Sequence, residues 1–444
     1  MFTNETTIDL LLSKYDRPTP RYTSFPAATH FHEGVELGDF LTSFDKSNPV
    51  SIYVHIPFCH SLCHYCGCHT KIVQDQGPIA SYVETLINEI GIFRERVGDH
   101  IAVQRIHFGG GSPNYADTKF IERILRKIEE SFEVLPSCQI DMECDPRRLT
   151  AEKIAFFARI GISRFSLGIQ DFNPEVQKAI NRIQPYEMIE ECMMHFSKSG
   201  INDINFDLIV GLPRQTLDTV AETADRAVQL RPSRLAVFPY AHVPWMKRHQ
   251  VLLEKYGLPD AKIRLKMICL VNKKLTESGY VPVGMDHFAK PENDLVQAQN
   301  EDSVHRNFQG YTDDSSRTVL GFGLSAISQF ENGYLQNTTN AMEYKSKISE
   351  GILASCRGYL MSNSDKKRKK IIDDLLCRFN ASIDEVQDLV TSSQRLADLQ
   401  EDEIITIGHD VLNITDKGKM FARVVASCFD PYYQPKEERH ACAI

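Results

Sequence analysis

Nowhere in the 444 residues is there a run approaching the roughly 18 uninterrupted apolar residues that cross a bilayer. The opening residues, MFTNE, lack the basic start, apolar stretch and small-residue cleavage site of a secretory signal. The expectation is a protein with no membrane span that works in the cytoplasm. Positive charge is scarce too, the formal net charge being -9. A general nucleic-acid binder needs surplus Lys and Arg to displace counterions, so nucleic acid is not an expected partner. The one basic run, Lys366, Lys367, Arg368, Lys369 and Lys370, reads as a solvated helix face. Internal repeats and low-complexity tracts are also lacking.

Cysteine is plentiful, with 12 residues, but not in the manner of a disulfide framework, which belongs to small secreted domains. Cys59, Cys63, Cys66 and Cys68 crowd together, and the others (Cys138, Cys144, Cys192, Cys269, Cys356, Cys377, Cys428, Cys442) are scattered singly and expected to be reduced.

Short β-branched runs at 51–56, 104–108, 139–144, 164–169, 204–209 and 234–238 alternate with longer amphipathic stretches, such as Ile79, Val83, Leu86, Ile87, Ile90 and Phe93 at helical spacing. Strand then helix, repeated six times, predicts an α/β fold with a parallel sheet that closes fully or partly into a TIM-like barrel. Chemistry is then expected at the C-terminal ends of the strands. Residues 1–50 read as an irregular arm because of Pro18, Pro20 and Pro26, and residues 51–350 as the barrel with its extension. Residues 351–444 read as a small, mainly helical winged-helix-like domain, with helices at 366–378 and 382–391 and a hairpin at 404–407 and 411–414.

Directly beyond the first strand lies IYVHIPFCHSLCHYCGCHTK (52–71). Three thiolates in a short loop, Cys59, Cys63 and Cys66, can hold three irons of a [4Fe-4S] cubane and leave the fourth iron for S-adenosylmethionine (SAM). Zinc would call for a second Cys-x-x-Cys knuckle, and none follows; a redox disulfide between Cys63 and Cys66 would not need Cys59. With only Gly67 between them, Cys66 and Cys68 make a cramped bite, so Cys68 is expected near the cluster without ligating it. Further candidates recur at later strand ends: Gly109, Gly110 and Gly111, which could grip a small zwitterion or simply turn the chain, then Glu143, Gln170, Asp207, and Tyr240 with Ala241. An acidic residue aimed into a barrel mouth calls for a cation, an amine or ribose hydroxyls.

The sequence resembles the oxygen-independent coproporphyrinogen III oxidases of the radical SAM superfamily over nearly its whole length. The resemblance is carried by YDRPTPRYTSFP (15–26), the cysteine segment, HFGGGSP (107–113), MECDPR (142–147), GIQDFN (168–173), NFDLIVGLPRQT (205–216), VFPYAHVPW (237–245), VGMDHFAKP (283–291), NFQGYT (307–312), GFGLSAIS (321–328) and CFDPYY (428–433). It implies a partial (β/α)6 barrel with a small helical C-terminal domain, a monomer, and the conversion of two propionates of coproporphyrinogen III to vinyl groups in haem biosynthesis. It also implies two SAM molecules. The first would meet Tyr53, Gly110, Glu143 and Ile327, and the second Tyr65, Gly111, Ser112, Gln170, Arg182, Asp207 and Ala241. Tyr65 stands where phenylalanine is common and Ser112 where threonine is, each keeping the aromatic face or the hydroxyl. Catalytic roles would fall to the three cluster cysteines with Tyr53 and Glu143. Arg21, Tyr22, His55, Phe308 and Gln309 are candidates for the substrate entrance, since a tetracarboxylate needs a cationic, partly aromatic wall. A protein reductant such as flavodoxin or ferredoxin is implied. A haem-binding chaperone or haem-modifying paralogue on the same barrel is the rival reading; such relatives usually lack Cys68 and the GMDHFA and NFQGYT stretches.

Overall fold

The computed structural model describes residues 5–98, 100–434 and 441–443. The chain enters through helix α1 (Glu5–Tyr15), an element the proline-rich arm did not suggest; the prolines begin only after it ends. Ile8, Leu11, Leu12 and Tyr15 are buried against the C-terminal domain, and this packing gives the helix its stability.

At the centre of the molecule is a twelve-stranded sheet. Strands β1 (Val50–Ile56), β2 (Ala102–Gly110), β3 (Glu133–Cys144), β4 (Arg164–Gln170), β5 (Asp203–Val210) and β6 (Arg234–Pro239) pair in parallel and in chain order, as the alternating pattern predicts. Helices cover their outer face. In the first of these, α2 (Gly77–Val97), Pro78 sits in the opening turn, Ile79, Val83, Leu86, Ile90 and Phe93 face the sheet, and Gly98 at φ 83° ends it.

Six further strands continue the sheet at its two edges. At one edge β7 (Val281–Val283) and β8 (His287–Ala289) add on antiparallel, β8 beside β6. At the other, β9 (Val319–Phe322) pairs parallel with β1, and β10 (Ile327–Phe330), β11 (Gly333–Asn337) and β12 (Ser355–Leu360) follow antiparallel. The strand order runs from β12 to β7 without the two ends pairing, so the barrel is partial. The sheet also reaches past residue 350, where the barrel was expected to end: the backbone of β12 is paired to β11.

The C-terminal domain begins with α3 (Asn363–Arg378), opened by a reciprocal Ser362–Asp365 capping box. Strand β13 (Asn380–Ser382), helices α4 (Gln387–Ser392) and α5 (Gln394–Glu401), and strands β14 (Ile405–Ile407) and β15 (Val411–Ile414) complete a winged-helix-like unit with sheet order β13-β15-β14. The helix expected at 382–391 begins only at Gln387, after strand β13 and a 3-10 turn at Asp384–Val386, and beyond it Ser393 accepts from the Leu396 N–H and caps a further helix, α5. No helix among the described residues is long and apolar enough to cross a membrane.

Candidate functional site

Beyond β1, Phe58–Cys59 pairs in parallel with Lys71–Ile72 and closes the cysteine loop. Loops from other strand ends hold its backbone. His64 N–H donates to the Ile180 carbonyl (3.0 Å), Asn181 Nδ2 to Leu62 (2.8 Å), Gln250 Nε2 to Tyr65 (2.9 Å) and Lys247 Nζ to Cys68 (2.8 Å). All four loop cysteines are free thiols. Donors surround the sulfurs: Arg182 Nη1 lies 3.5 Å and Arg147 Nη2 3.7 Å from Cys63 Sγ, and Ser112 Oγ 3.6 Å from Cys59 Sγ. The Cys68 thiol donates to Cys66 and, more than any other influence, holds it down to about 6, while burial pushes Cys59 up to about 12. No three His, Cys, Asp or Glu side chains among the described residues could hold one metal ion. Three thiolates that each take a different iron of a cubane have no need to converge on one point, and positive donors around them suit an anionic cluster.

The inward faces of β1, β2 and β3 build the adjoining wall. Side chains alternate along strands, so Tyr53 and His55, His107 and Gly109, and Asp141 and Glu143 point the same way. The Tyr53 ring stacks on His107 (5.8 Å between centroids, 19° between planes), and its hydroxyl lies 2.9 Å from His55 Nδ1. Glu143 accepts from His107 Nε2 (3.2 Å) and from the Gly110 N–H (3.1 Å). Its side chain is 39% exposed although protein surrounds it on nearly all sides, which places it in a deep concavity. Burial alone would raise the Glu143 carboxyl; His107 and the Gly110 N–H hold it below its ordinary value.

The three glycines are there for close approach. A Cβ on Gly109 would lie 2.8 Å from the Tyr53 ring, one on Gly110 2.8 Å from His55, and one on Gly111 2.7 Å from the Phe58 carbonyl. Gly111 and Ser112 N–H groups donate to the Ile56 and Phe58 carbonyls (2.9 Å each), which ties the glycine turn to the cysteine loop. Ile327 joins this group through Gly321, which pairs with Tyr53 and where a Cβ would lie 2.6 Å from Ile327 backbone.

A second wall comes from β4 and β5. Gln170 sits at φ 67°, a conformation few residues with a side chain adopt. Arg182 is buried, donates to the Gly168 carbonyl (2.7 Å) and lies 3.4 Å from Asp145. Asp207 accepts from Ser166 Oγ and Asn205 Nδ2 (2.8 Å each), yet burial pushes it up to about 6. Tyr65, packed beside Val176 and Leu212, senses the Arg182 charge, and Ala241 follows the end of β6.

The entrance candidates divide. Arg21 is exposed and donates to the Pro239 carbonyl (2.8 Å) at the end of β6. Phe308 and Gln309 form the tip of a hairpin between His305–Asn307 and Gly310–Thr312, with Phe308 edge-on to Tyr334. Tyr22, by contrast, is 3% exposed with its hydroxyl on Asp430, a core position. His55 has both ring nitrogens engaged, by Tyr53 and by the His69 carbonyl (3.1 Å), and burial pushes it down to about 4. Sequence reasoning gave no role to His107 or to the strap of Lys247, His249 and Gln250 over the cysteine loop. Strand parity with Tyr53 would have found His107; nothing local marks the strap.

Residues 53–227 match the model of the radical SAM superfamily. The chain is 38% identical to the oxygen-independent coproporphyrinogen III oxidase of Bradyrhizobium diazoefficiens, covering 98% of this chain and 99% of that one. It is 36% identical to the enzyme of the same name from Escherichia coli K12, over 96% and 95%. A solved structure of the E. coli coproporphyrinogen III oxidase, described as a radical SAM enzyme, superposes with a TM-score of 0.88 at 34% identity, covering 96% of this chain and 99% of the other.

Proposed function

Because the chain belongs to the oxygen-independent coproporphyrinogen III oxidases of the radical SAM superfamily, we propose that it converts two propionate side chains of coproporphyrinogen III to vinyl groups, releasing carbon dioxide and giving protoporphyrinogen IX. The observation that carries this is one juxtaposition: the Cys59 loop, Glu143 and the glycine turn meet at the C-terminal ends of parallel strands, where such barrels do their chemistry.

Cys59, Cys63 and Cys66 would hold the [4Fe-4S] cluster, and metal binding would displace their protons. When bound, the cluster and SAM would supply one-electron cleavage to a 5′-deoxyadenosyl radical able to remove a hydrogen from the propionate β-carbon, after which loss of carbon dioxide and of one further electron to a one-electron acceptor would leave the vinyl group. The chain's own work is placement. Arg147, Arg182 and Ser112 set donors against the sulfurs. Glu143, ionised and fixed by His107, presents a carboxylate to an amine or to ribose hydroxyls, with Tyr53, Gly110 and Ile327 beside it. Tyr65, Gly111, Ser112, Gln170, Arg182, Asp207 and Ala241 would hold a second SAM. Arg21, Phe308 and Gln309 would meet the substrate, and the enclosing walls would exclude water from the radical. The protein is read as a cytoplasmic monomer that takes its electrons from a flavodoxin- or ferredoxin-type donor. Product analysis after anaerobic reconstitution tests the reading. Vinyl-bearing product is expected from wild type and none from Cys59→Ala; SAM cleavage without any vinyl product would keep the superfamily and reject the substrate.

A further inference from the structure

Residues 19–21 cross the barrel mouth on two guanidiniums supplied by distant segments. Arg423 donates to the Thr19 carbonyl (3.4 Å), the Cys442 carbonyl (3.0 Å) and the Ala443 carbonyl. Arg306 donates through Nη2 to the Arg21 carbonyl (3.4 Å) and lies over the Tyr311 ring (4.8 Å). Arg21 is thereby laid along the end of β6 onto the Pro239 carbonyl, and its Nε and Nη1 have no partner among the described residues.

The charges here do not balance. Three guanidiniums, Arg21, Arg306 and Arg423, face two carboxylates that are already engaged: Asp286 is 3.8 Å from Arg306 and 2.7 Å from His287 Nδ1, and Asp16, which also acts on Arg423, is 3.4 Å from Arg264. Arg306 Nε and Nη1 are buried without a hydrogen-bond partner. Arg423 is 8% exposed, within 4 Å of no carboxylate among the described residues, and burial, followed by Arg21 and Arg306, pushes it down to about 10. Arg21 is the exposed member, held at the C-terminal end of β6 by the Pro239 carbonyl. Surplus positive charge in a poorly hydrated site is costly until an anion arrives.

We propose that Arg21 receives a carboxylate of a bound organic ligand, and that Arg306 and Arg423 are positioning residues which aim it and keep the site net positive. The inference rests on the function proposed above, where carboxylates have two sources: a propionate of the tetrapyrrole, or the methionine end of a SAM molecule.

The test titrates coproporphyrin III, the stable oxidised tetracarboxylate, into reconstituted protein by fluorescence, and counts bound SAM by equilibrium dialysis. Arg21→Ala and Arg306→Met should each weaken coproporphyrin by about tenfold or more, the worth of one charge-assisted hydrogen bond, with SAM stoichiometry unchanged. Arg21→Lys should recover part of the loss. Loss of one bound SAM with porphyrin affinity intact would assign the carboxylate to SAM and support the same site. Neither change in Arg21→Ala would overturn the inference. Melting curves separate positioning from folding: Arg306→Lys, which keeps the charge, should retain part of the affinity that Arg306→Met loses, and a folded Arg306→Met protein with wild-type affinities overturns the positioning role. Wild-type protein that binds no coproporphyrin would overturn the proposed function and the propionate assignment together, whereas wild-type binding that Arg21→Ala leaves intact overturns this inference alone.

Discussion

His107 Nε2 lies 3.2 Å from Glu143 Oε1, so the carboxylate at the barrel mouth is fixed by a half-buried imidazole. Burial alone would lower the His107 value, but the Asp141 carboxylate at 3.8 Å and the hydrogen bond to Glu143 raise it to about 9. A histidine raised on folding contributes stability that is fully present below about 6.5 and lost as pH rises through about 9. Melting temperatures should therefore fall between pH 7 and 9.5 in wild type and fall less in His107→Gln. Equal slopes would show that His107 is not charged in the folded protein.

The cluster assignment separates Cys68 from its neighbours. After anaerobic reconstitution, Cys59→Ala, Cys63→Ala and Cys66→Ala should each lose most of the about four irons per chain, and Cys68→Ala should keep them. Iron analysis with visible absorption checks this, and full iron in Cys66→Ala would remove that residue from the ligand set.

A methyl group at Gly111 would meet the Phe58 carbonyl at 2.7 Å, and backbone cannot swing aside as a side chain can. Gly111→Ala should displace the cysteine loop, cutting iron incorporation several-fold while the fold persists by circular dichroism. Gly67→Ala, with nothing within 4 Å of its added carbon, serves as the control.

Glu89, 2% exposed, is the knot between α2 and the strands beside β1. It accepts from the Gly323 N–H (2.7 Å), Asn337 Nδ2 (2.6 Å) and Tyr344 Oη (2.7 Å). Glu89→Leu strands three buried donors and should cost about 3 kcal/mol of stability. Glu89→Gln, which keeps one acceptor oxygen, should cost less. Urea unfolding measures both, and a neutral Glu89→Leu would contradict the burial argument.

Much of this was legible in the sequence where signals are local. Strands β1 to β6 are covered by helices on one face and read as short β-branched runs, and the spacing of Cys59, Cys63 and Cys66 sits in one loop. What escaped depends on pairing over long separations. Val319–Phe322 is four residues containing a glycine, too short to stand out, and is a strand only because β1 offers it a partner. Helix α1 is stabilised by the C-terminal domain rather than by its own sequence. Tyr22 reads as an entrance residue because its ring suits a partly aromatic wall, but its φ of 49° turns the chain so that the Arg21 side chain is exposed and the next is in the core. Nothing near Arg306 in the sequence says that it lies beneath Arg21.

The most direct test of the central claim uses coproporphyrinogen III deuterated at the propionate β-carbons, incubated anaerobically with the reconstituted protein, SAM and a reductant. The expected result is divinyl product together with 5′-deoxyadenosine carrying deuterium. Unlabelled 5′-deoxyadenosine with the substrate recovered intact would contradict it.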